Sequence, residues 1–353
     1  MCVYIDKNKK RQREEIAEFN RKHRDASTNT SYTRHQHLYK QWCVNNNIDF
    51  STPNIESVGK YLIHCFESKD KTRRWSSSTF NTARCAISDL YKFTFSDTSS
   101  VGEHPMISST LATIRKMSEP SSQKRPLTQE HFSTIFKHIN MTNFRDVRDY
   151  HLMLMMYAMA RRAKEATQLL MSNIKINDEK GYLTITHTPA KQKAQKVVET
   201  TISYAPDNIV TDVGRWHKMY MSVAVVTSKY YFHSQSGEGL SAQTPRHSFK
   251  RLFTLAGLDF EEYGSHSARR GGATAMAEAG EDELSIKTHC TWSGDTYQRY
   301  IKPSNSTKAK ATKHLNKTTT IFKKRKKNPN LQLWTKLVNF HNLTIVFVFN
   351  NKL

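Results

Sequence analysis

Hydrophobic positions recur at helical spacing through most of the chain, and the places where that recurrence stops divide it. Residues 1–27, which begin MCVYIDKNKKRQREEIAEFNRKHRD, are charged and periodic enough for a helix but offer little apolar surface to bury, so they are expected to form a basic peripheral arm. From Ser31 four segments, YTRHQHLYKQWCVNNN, IESVGKYLIHCFES, SSSTFNTARCAISDLYKF and SSTLATIRKM, carry apolar residues near helical spacing, set off by Ser, Thr, Asn or Pro. They predict a compact helical domain over residues 28–118. The stretch 119–127, EPSSQKRPL, has two prolines and two serines and reads as an exposed linker. Thr128 then stands as a cap before QEHFSTIFKHI, and RDVRDYHLMLMMYAMARRAKEATQLLMSNI predicts a long apolar helix followed by a second helical segment. Strand character enters only with YLTITHT and VVETTISY, a hairpin joined by the lysine-rich turn PAKQKAQK. The fold class expected is mainly α (α+β), with a second, mostly helical domain over residues 128–302 that carries a small β-sheet.

Length and charge narrow the class of partner. The 353 residues allow two domains with sizeable cores. With 54 Lys and Arg against 31 Asp and Glu, the net charge is +23, so a polyanion is the expected partner and double-stranded DNA the first candidate. A membrane is not expected, because no stretch approaches the roughly 18 to 20 apolar residues that span a bilayer. Met1 to Lys10 is polar, which gives no signal-peptide core. The five cysteines include no CxxC pair and their odd count excludes a closed disulfide framework, so reduced thiols and an intracellular site are expected. Neither CxxC nor HExxH occurs, and His35 and His37 point to different faces of a helix; no metal and no cofactor is expected. The basic tail, residues 303–353, holds eleven Lys or Arg and no acid. Its KKRKK at 323–327 suits a nuclear localisation signal, a phosphate-binding arm or a solvated tail, so the nucleus is the expected location if the source is eukaryotic and the cytoplasm otherwise. The closing LTIVFVF suits either an added strand or a helix docking on a partner.

One stretch carries candidate chemistry. In GSHSARRGGATA, His266 and Arg269 are three apart and share a helix face. The glycines after Arg270 allow a close backbone approach, expected here around a bulky ligand. Upstream, Arg162 has Glu165 three residues on, an acid placed to hold its side chain; downstream lie Trp292, Tyr297 and Tyr300. Trp and Tyr are common in cores and arginines common on surfaces, yet a set of two arginines, a histidine, an indole donor and a phenol is expensive to bury together and complementary to a phosphodiester.

These residues resemble the tyrosine recombinases of the phage integrase superfamily, and among them most resemble the eukaryotic Crypton-type transposon recombinases. HSARRGGATA matches the HxxR box, with His266 and Arg269 in its two motif positions. ARRAKEATQLLMSNI resembles the first arginine box: Arg162, Glu165, Leu169 four beyond it, and Asn173 where the family usually carries an acid. Taking Arg161 instead breaks that register. KRPLT at 124–128 is typical of the start of the catalytic domain. The likeness spans about residues 28–302 and is strongest in the last forty.

The resemblance implies an N-terminal helical SAM-like core-binding domain and a mostly helical recombinase catalytic domain, assembled as a homotetramer on two DNA sites. It implies cutting and rejoining through a covalent 3′-phosphotyrosyl bond without a metal ion. Arg162 and Arg269 would bind the non-bridging oxygens, His266 would assist proton transfer, and Trp292 stands where many relatives have a second histidine. A hairpin lysine would protonate the leaving oxygen: Lys191 lies at the family's offset, with Lys193 second and Lys196 also in the turn. Tyr300, eight residues after Trp292 and within RYI, would be the nucleophile, with Tyr297 for packing. The residues HCT before Trp292 depart from the usual Gly and basic residue, a change expected to affect the start of a helix. A domesticated DNA binder that no longer cuts, and a type IB topoisomerase, are the alternatives.

Overall fold

The computed structural model describes residues 2–68, 75–92, 101–119, 123–187, 197–292, 335–340 and 343–348. The chain divides into two compact units, Met1–Ser122 and Gln123–Leu353. The first is all helical: α1 (Cys2–Lys22), α2 (Ala26–Asn45), α3 (Ile55–Glu67), α4 (Ser77–Tyr91) and α5 (Pro105–Met117). Short polar residues set the starts, since Asp25, Asn54 and Ser76 each accept a backbone N–H of the first turn. Apolar positions three and four apart then converge on a core that includes Tyr39, Tyr61, Leu62, Phe80, Ile87 and Ile107. α1 has little to bury: Ile16 and Phe19 remain exposed. Beyond its end, Arg24 makes a two-pronged bond to Asp89 of α4 at 2.9 and 2.5 Å.

The second unit is built around α7 (Phe144–Ala158), whose residues from Val147 to Met156 are all buried. Helices α9 (Val213–Val223), α10 (Thr244–Leu255) and α11 (Ser265–Ala279) pack against it. A helix buried on every side has no polar face to spare, so its charged residues need internal partners. Asp149 meets Arg148 at 2.7 Å and Arg251 at 2.9 Å. His151 Nε2 and His217 Nδ1 each lie 2.7 Å from the Tyr231 hydroxyl, and burial holds both imidazoles below their ordinary range.

Around this centre lie α6 (Gln129–Phe136), a single turn α8 (Ala163–Thr167), and α12 (Glu283–Cys290). The sheet has three antiparallel strands in the order β1 (Ile174–Asn177), β2 (Tyr182–His187), β3 (Val198–Ser203), with Ile174 opposite Ile185 and Leu183 opposite Ile202. β2 alternates, burying Leu183, Ile185 and His187.

Three features differ from the sequence expectation, and a fourth decides between two open alternatives. The second helical segment after α7 is one turn, because the chain reverses at Ala160 in the left-handed region. SNIKIN supplies a third strand. Residues 205–262, silent in the periodicity, hold α9 and α10. In the tail, β4 (Thr335–Phe340) pairs antiparallel with β5 (Leu343–Val348), so LTIVFV forms a strand whose partner is in the same chain. Among the described residues no helix is long and apolar enough to cross a membrane.

Candidate active site

The end of α7 delivers two consecutive arginines to different surroundings. Arg162 caps α8, and Glu165, in the first turn, folds back on it. One carboxylate oxygen accepts the Arg162 backbone N–H and the other accepts its guanidinium, both at 3.0 Å. The Glu165 side chain is 2% exposed and that of Arg162 is 31% exposed, so the acid is anchored inside while the cation reaches the surface. Arg269 Nη1 lies 3.9 Å from the same carboxylate. Burial pushes the Glu165 carboxyl up, but the Arg162 N–H, the Arg162 guanidinium and Arg269 outweigh it and hold the group below the usual carboxylate range. One buried anion therefore positions two guanidinium groups.

Arg269 comes from α11, which starts at Gly264 with the Ser267 hydroxyl accepting the Gly264 N–H at 3.0 Å. His266 is exposed in the first turn, three residues before Arg269, which is 1% exposed. The Arg269 guanidinium lies 5.0 Å from the Trp292 ring centroid, a cation–π contact that fixes its plane. Arg162 and Arg269 are thus brought together on Glu165, with Trp292 against Arg269.

The glycines of this helix have a different cause from the one expected. A Cβ on Gly271 would fall 2.3 Å from the Leu127 carbonyl oxygen, and one on Gly272 would fall 2.0 Å from that of Tyr157. They admit neighbouring backbone, the end of α7 and the segment before α6, and no ligand is needed to explain them. That segment is KRPLT. Leu127 N–H donates to Ser267 O at 3.0 Å and Arg125 N–H to Glu262 O at 2.8 Å, while Arg270 donates to the Lys124 carbonyl and to Gln123 Oε1.

HCT ends α12, and the residues after Trp292, where an effect on a helix start was expected, lie outside the described residues. Thr291 takes φ 48° at the left-handed position, and Trp292 N–H returns to Lys287 O at 2.9 Å. Asn173, where an acid was expected, accepts the Leu170 N–H at 2.8 Å, a turn-closing role for which an amide oxygen suffices.

Sequence reasoning passed over three residues here. Arg161 is 1% exposed and donates to Thr291 Oγ1, to Thr200 Oγ1 at 2.6 Å and to His289 O at 2.9 Å. Burial lowers it to about 10, so it stays protonated at neutral pH. His289 donates from Nε2 to Ala158 O at 2.8 Å. His187, at the end of β2, is buried; burial, then the charge of Arg161, holds it below its ordinary range against the opposing pull of Glu165 and of the Ile185 backbone. In the sequence Arg161 breaks the register of the arginine box, His289 stands only as part of HCT, and no local signal marks His187. Lys191, Lys193 and Lys196, and Tyr297 and Tyr300, lie outside the described residues. Among the described residues, no group of three His, Cys, Asp or Glu is placed to hold a metal ion.

Two buried or half-buried arginines on one carboxylate, backed by an indole, form an anchored cationic notch suited to an anion that spreads charge over several oxygens. The profile of the phage integrase family matches residues 125–307, the interval that contains every one of these groups. Among solved structures, the chain is similar to the site-specific recombinase XerH bound to difH DNA in a post-cleavage complex (14% identity, 89% of this chain and 85% of that one, TM-score 0.59). It is similar to the integrase of the transposon Tn1549 in complex with circular-intermediate DNA (14%, 86% and 98%, TM-score 0.59). It also resembles a lambda integrase dimer bound to a core site (15%, 86% and 96%, TM-score 0.57). No curated protein matches the chain.

Proposed function

A chain matched by that profile over more than half its length belongs to the phage integrase family and is a tyrosine recombinase, and we propose how its residues divide the work. The Tyr300 oxygen attacks a DNA phosphorus, the bond from phosphorus to the 5′ oxygen breaks, and a 3′-phosphotyrosyl link stores the bond energy for rejoining. Lys191 supplies the proton that turns the leaving oxygen into a 5′-hydroxyl. Arg162 and Arg269 bind the non-bridging oxygens as charge grows on them; donors so placed contribute about 3 to 4 kcal/mol each. His266, in the exposed first turn of α11, assists removal of the phenolic proton. Trp292 fixes the plane of Arg269. The observation that carries this reading is the single buried carboxylate of Glu165 holding both arginines, because a shared anchor sets their separation before substrate arrives.

The positive charge needed at the phosphate is supplied by guanidinium groups, so adduct formation is expected to persist in EDTA. Further parts of the reading are proposals of ours: a Crypton-type element as the source, duplex DNA held as a homotetramer on two sites, and nuclear location through KKRKK if the source is eukaryotic. The deciding experiment uses a nicked suicide substrate. Wild type should form a covalent adduct, Tyr300→Phe should bind DNA and form none, and Tyr297→Phe should still form one. An adduct mapped to Tyr297 would reassign the nucleophile, and no adduct with wild type under any condition would favour the non-cutting binder. Relaxation of plasmids that lack a paired site would favour the topoisomerase.

A further inference from the structure

Two helix C-termini meet in the second unit, and each turns through a left-handed residue that is not glycine. At the end of α7, Ala160 (φ 49°) donates to Tyr157 O at 3.1 Å and Arg161 N–H donates to Met156 O at 3.2 Å. At the end of α12, Thr291 (φ 48°) donates to Thr288 O at 3.2 Å and Trp292 N–H to Lys287 O at 2.9 Å. Helix α11 closes in the same way, but with Gly280 at the left-handed position. Such an ending satisfies two carbonyls of the last turn and leaves others over. Ala158 O on α7 and His289 O on α12 are two of these, and each receives its bond from the opposite helix: His289 Nε2 donates to Ala158 O, and Arg161 donates to His289 O. The same guanidinium reaches the Thr291 hydroxyl and, on β3, Thr200. The negative ends of two helix dipoles therefore face one buried cation.

We propose that Arg161 is a positioning residue. Together with His289 it forms a reciprocal cap that locks the loop bearing Arg162 to the turn bearing Trp292, and its bond to the Thr291 hydroxyl holds a β-branched residue in a conformation that such residues avoid. Arg162 follows Arg161 directly, Trp292 follows Thr291 directly, and Arg269 lies over Trp292, so the cap sets the spacing of both phosphate-binding arginines. Arg161 is 1% exposed and the Arg162 side chain is 31% exposed, which separates Arg161 from its neighbour in role. This inference rests on the recombinase reading of the site.

The test compares Arg161→Met, Thr291→Val, Thr291→Gly and the double variant Arg161→Met with Thr291→Gly, beside Arg162→Ala, for DNA affinity, adduct rate and thermal unfolding. Arg161→Met should slow adduct formation about tenfold or more with affinity within about twofold of wild type. Thr291→Gly in that background should recover most of the rate, because glycine needs no help at a left-handed position. Thr291→Val loses the hydroxyl and keeps the strain, so alone it should be slower than Thr291→Gly; this pair carries the test if Arg161→Met does not fold. A wild-type rate in Arg161→Met, or a loss that no change at Thr291 relieves, overturns the proposal. So does a loss relieved by a neutral methylphosphonate at the scissile position, which would mark Arg161 as a phosphate ligand. If wild type forms no adduct, the recombinase reading fails by itself. The cap is then judged on unfolding, where Thr291→Gly should again rescue Arg161→Met and failure to do so overturns it.

Discussion

The two units solve the problem of an interior in opposite ways. Among the described residues of the first, burial is almost wholly apolar and aromatic, with His35 and Ser57 the polar residues enclosed. The second encloses Arg148, Asp149, His151, Arg161, Glu165, His187, His217 and Arg269 among others. Enclosing charge costs several kcal/mol per ion unless partners return it, and the second unit answers with shared partners: one Asp149 for two arginines, one Glu165 for two more, one Tyr231 hydroxyl for two histidines. Perturbed, enclosed charges gather where chemistry is done. The difference fits the proposed placement of the chemistry in the second unit.

Substitutions sharpen this contrast in decreasing order of effect. Arg162→Ala and Arg269→Ala should each slow adduct formation by about a hundredfold or more, the scale of a lost transition-state donor, with much smaller changes in DNA affinity measured by gel shift. Equal losses of rate and affinity would reduce both residues to backbone contacts. Leu62→Ala in the first unit, a fully buried side chain, should cost about 3 kcal/mol of stability in calorimetric unfolding, with the intrinsic adduct rate of the folded fraction retained. Gly272→Ala should cost about 1 to 3 kcal/mol through overpacking against Tyr157 and slow the adduct as well, since α11 carries Arg269. A Leu62→Ala protein that folds but reacts slowly would show that the division of labour is wrong.

Acid separates the units by a smaller step. His151, His187, His217 and His289 in the second unit are all held low, burial being the first cause for each. His217 adds to this for His151, and Arg161 for His187 and His289, against the Glu165 charge on His187, the Asp178 charge on His217 and the Ala158 carbonyl on His289. A depressed imidazole contributes stability that is present above its unfolded value, about 6.5, and is lost as pH falls toward its folded one. From pH 7.5 to 5.5, His151 alone should remove about 1 kcal/mol, seen as a fall in the melting temperature of the second unit larger than that of the first, where His35 is the enclosed imidazole. Equal shifts in both transitions would contradict the contrast.

Legibility in the sequence followed the same division. The helices of the first unit were readable because burial there obeys a 3.6-residue period and caps mark the starts. β1 was not, since IKIN is four residues long with its middle two exposed and has meaning only beside β2. α9 and α10 were passed over for lack of any motif within residues 205–262. In the site, a spacing of three paired Arg162 with Glu165 and put His266 one turn before Arg269 on α11, which is local information. That Arg162 and Arg269 share one carboxylate, that Gly271 and Gly272 face backbone, and that Arg161 reaches across to α12 are facts of tertiary approach, and no window along the chain contains both partners.

The left-handed threonine leaves a mark on descent. If the proposed cap holds, Arg161 would let position 291 leave glycine, and once it had left, Arg161 would no longer be free to change. Substitutions at the two positions would then have a preferred order, arginine first and threonine second. Among related chains the two sites should vary together, with glycine at the equivalent of 291 wherever the equivalent of 161 lacks a guanidinium.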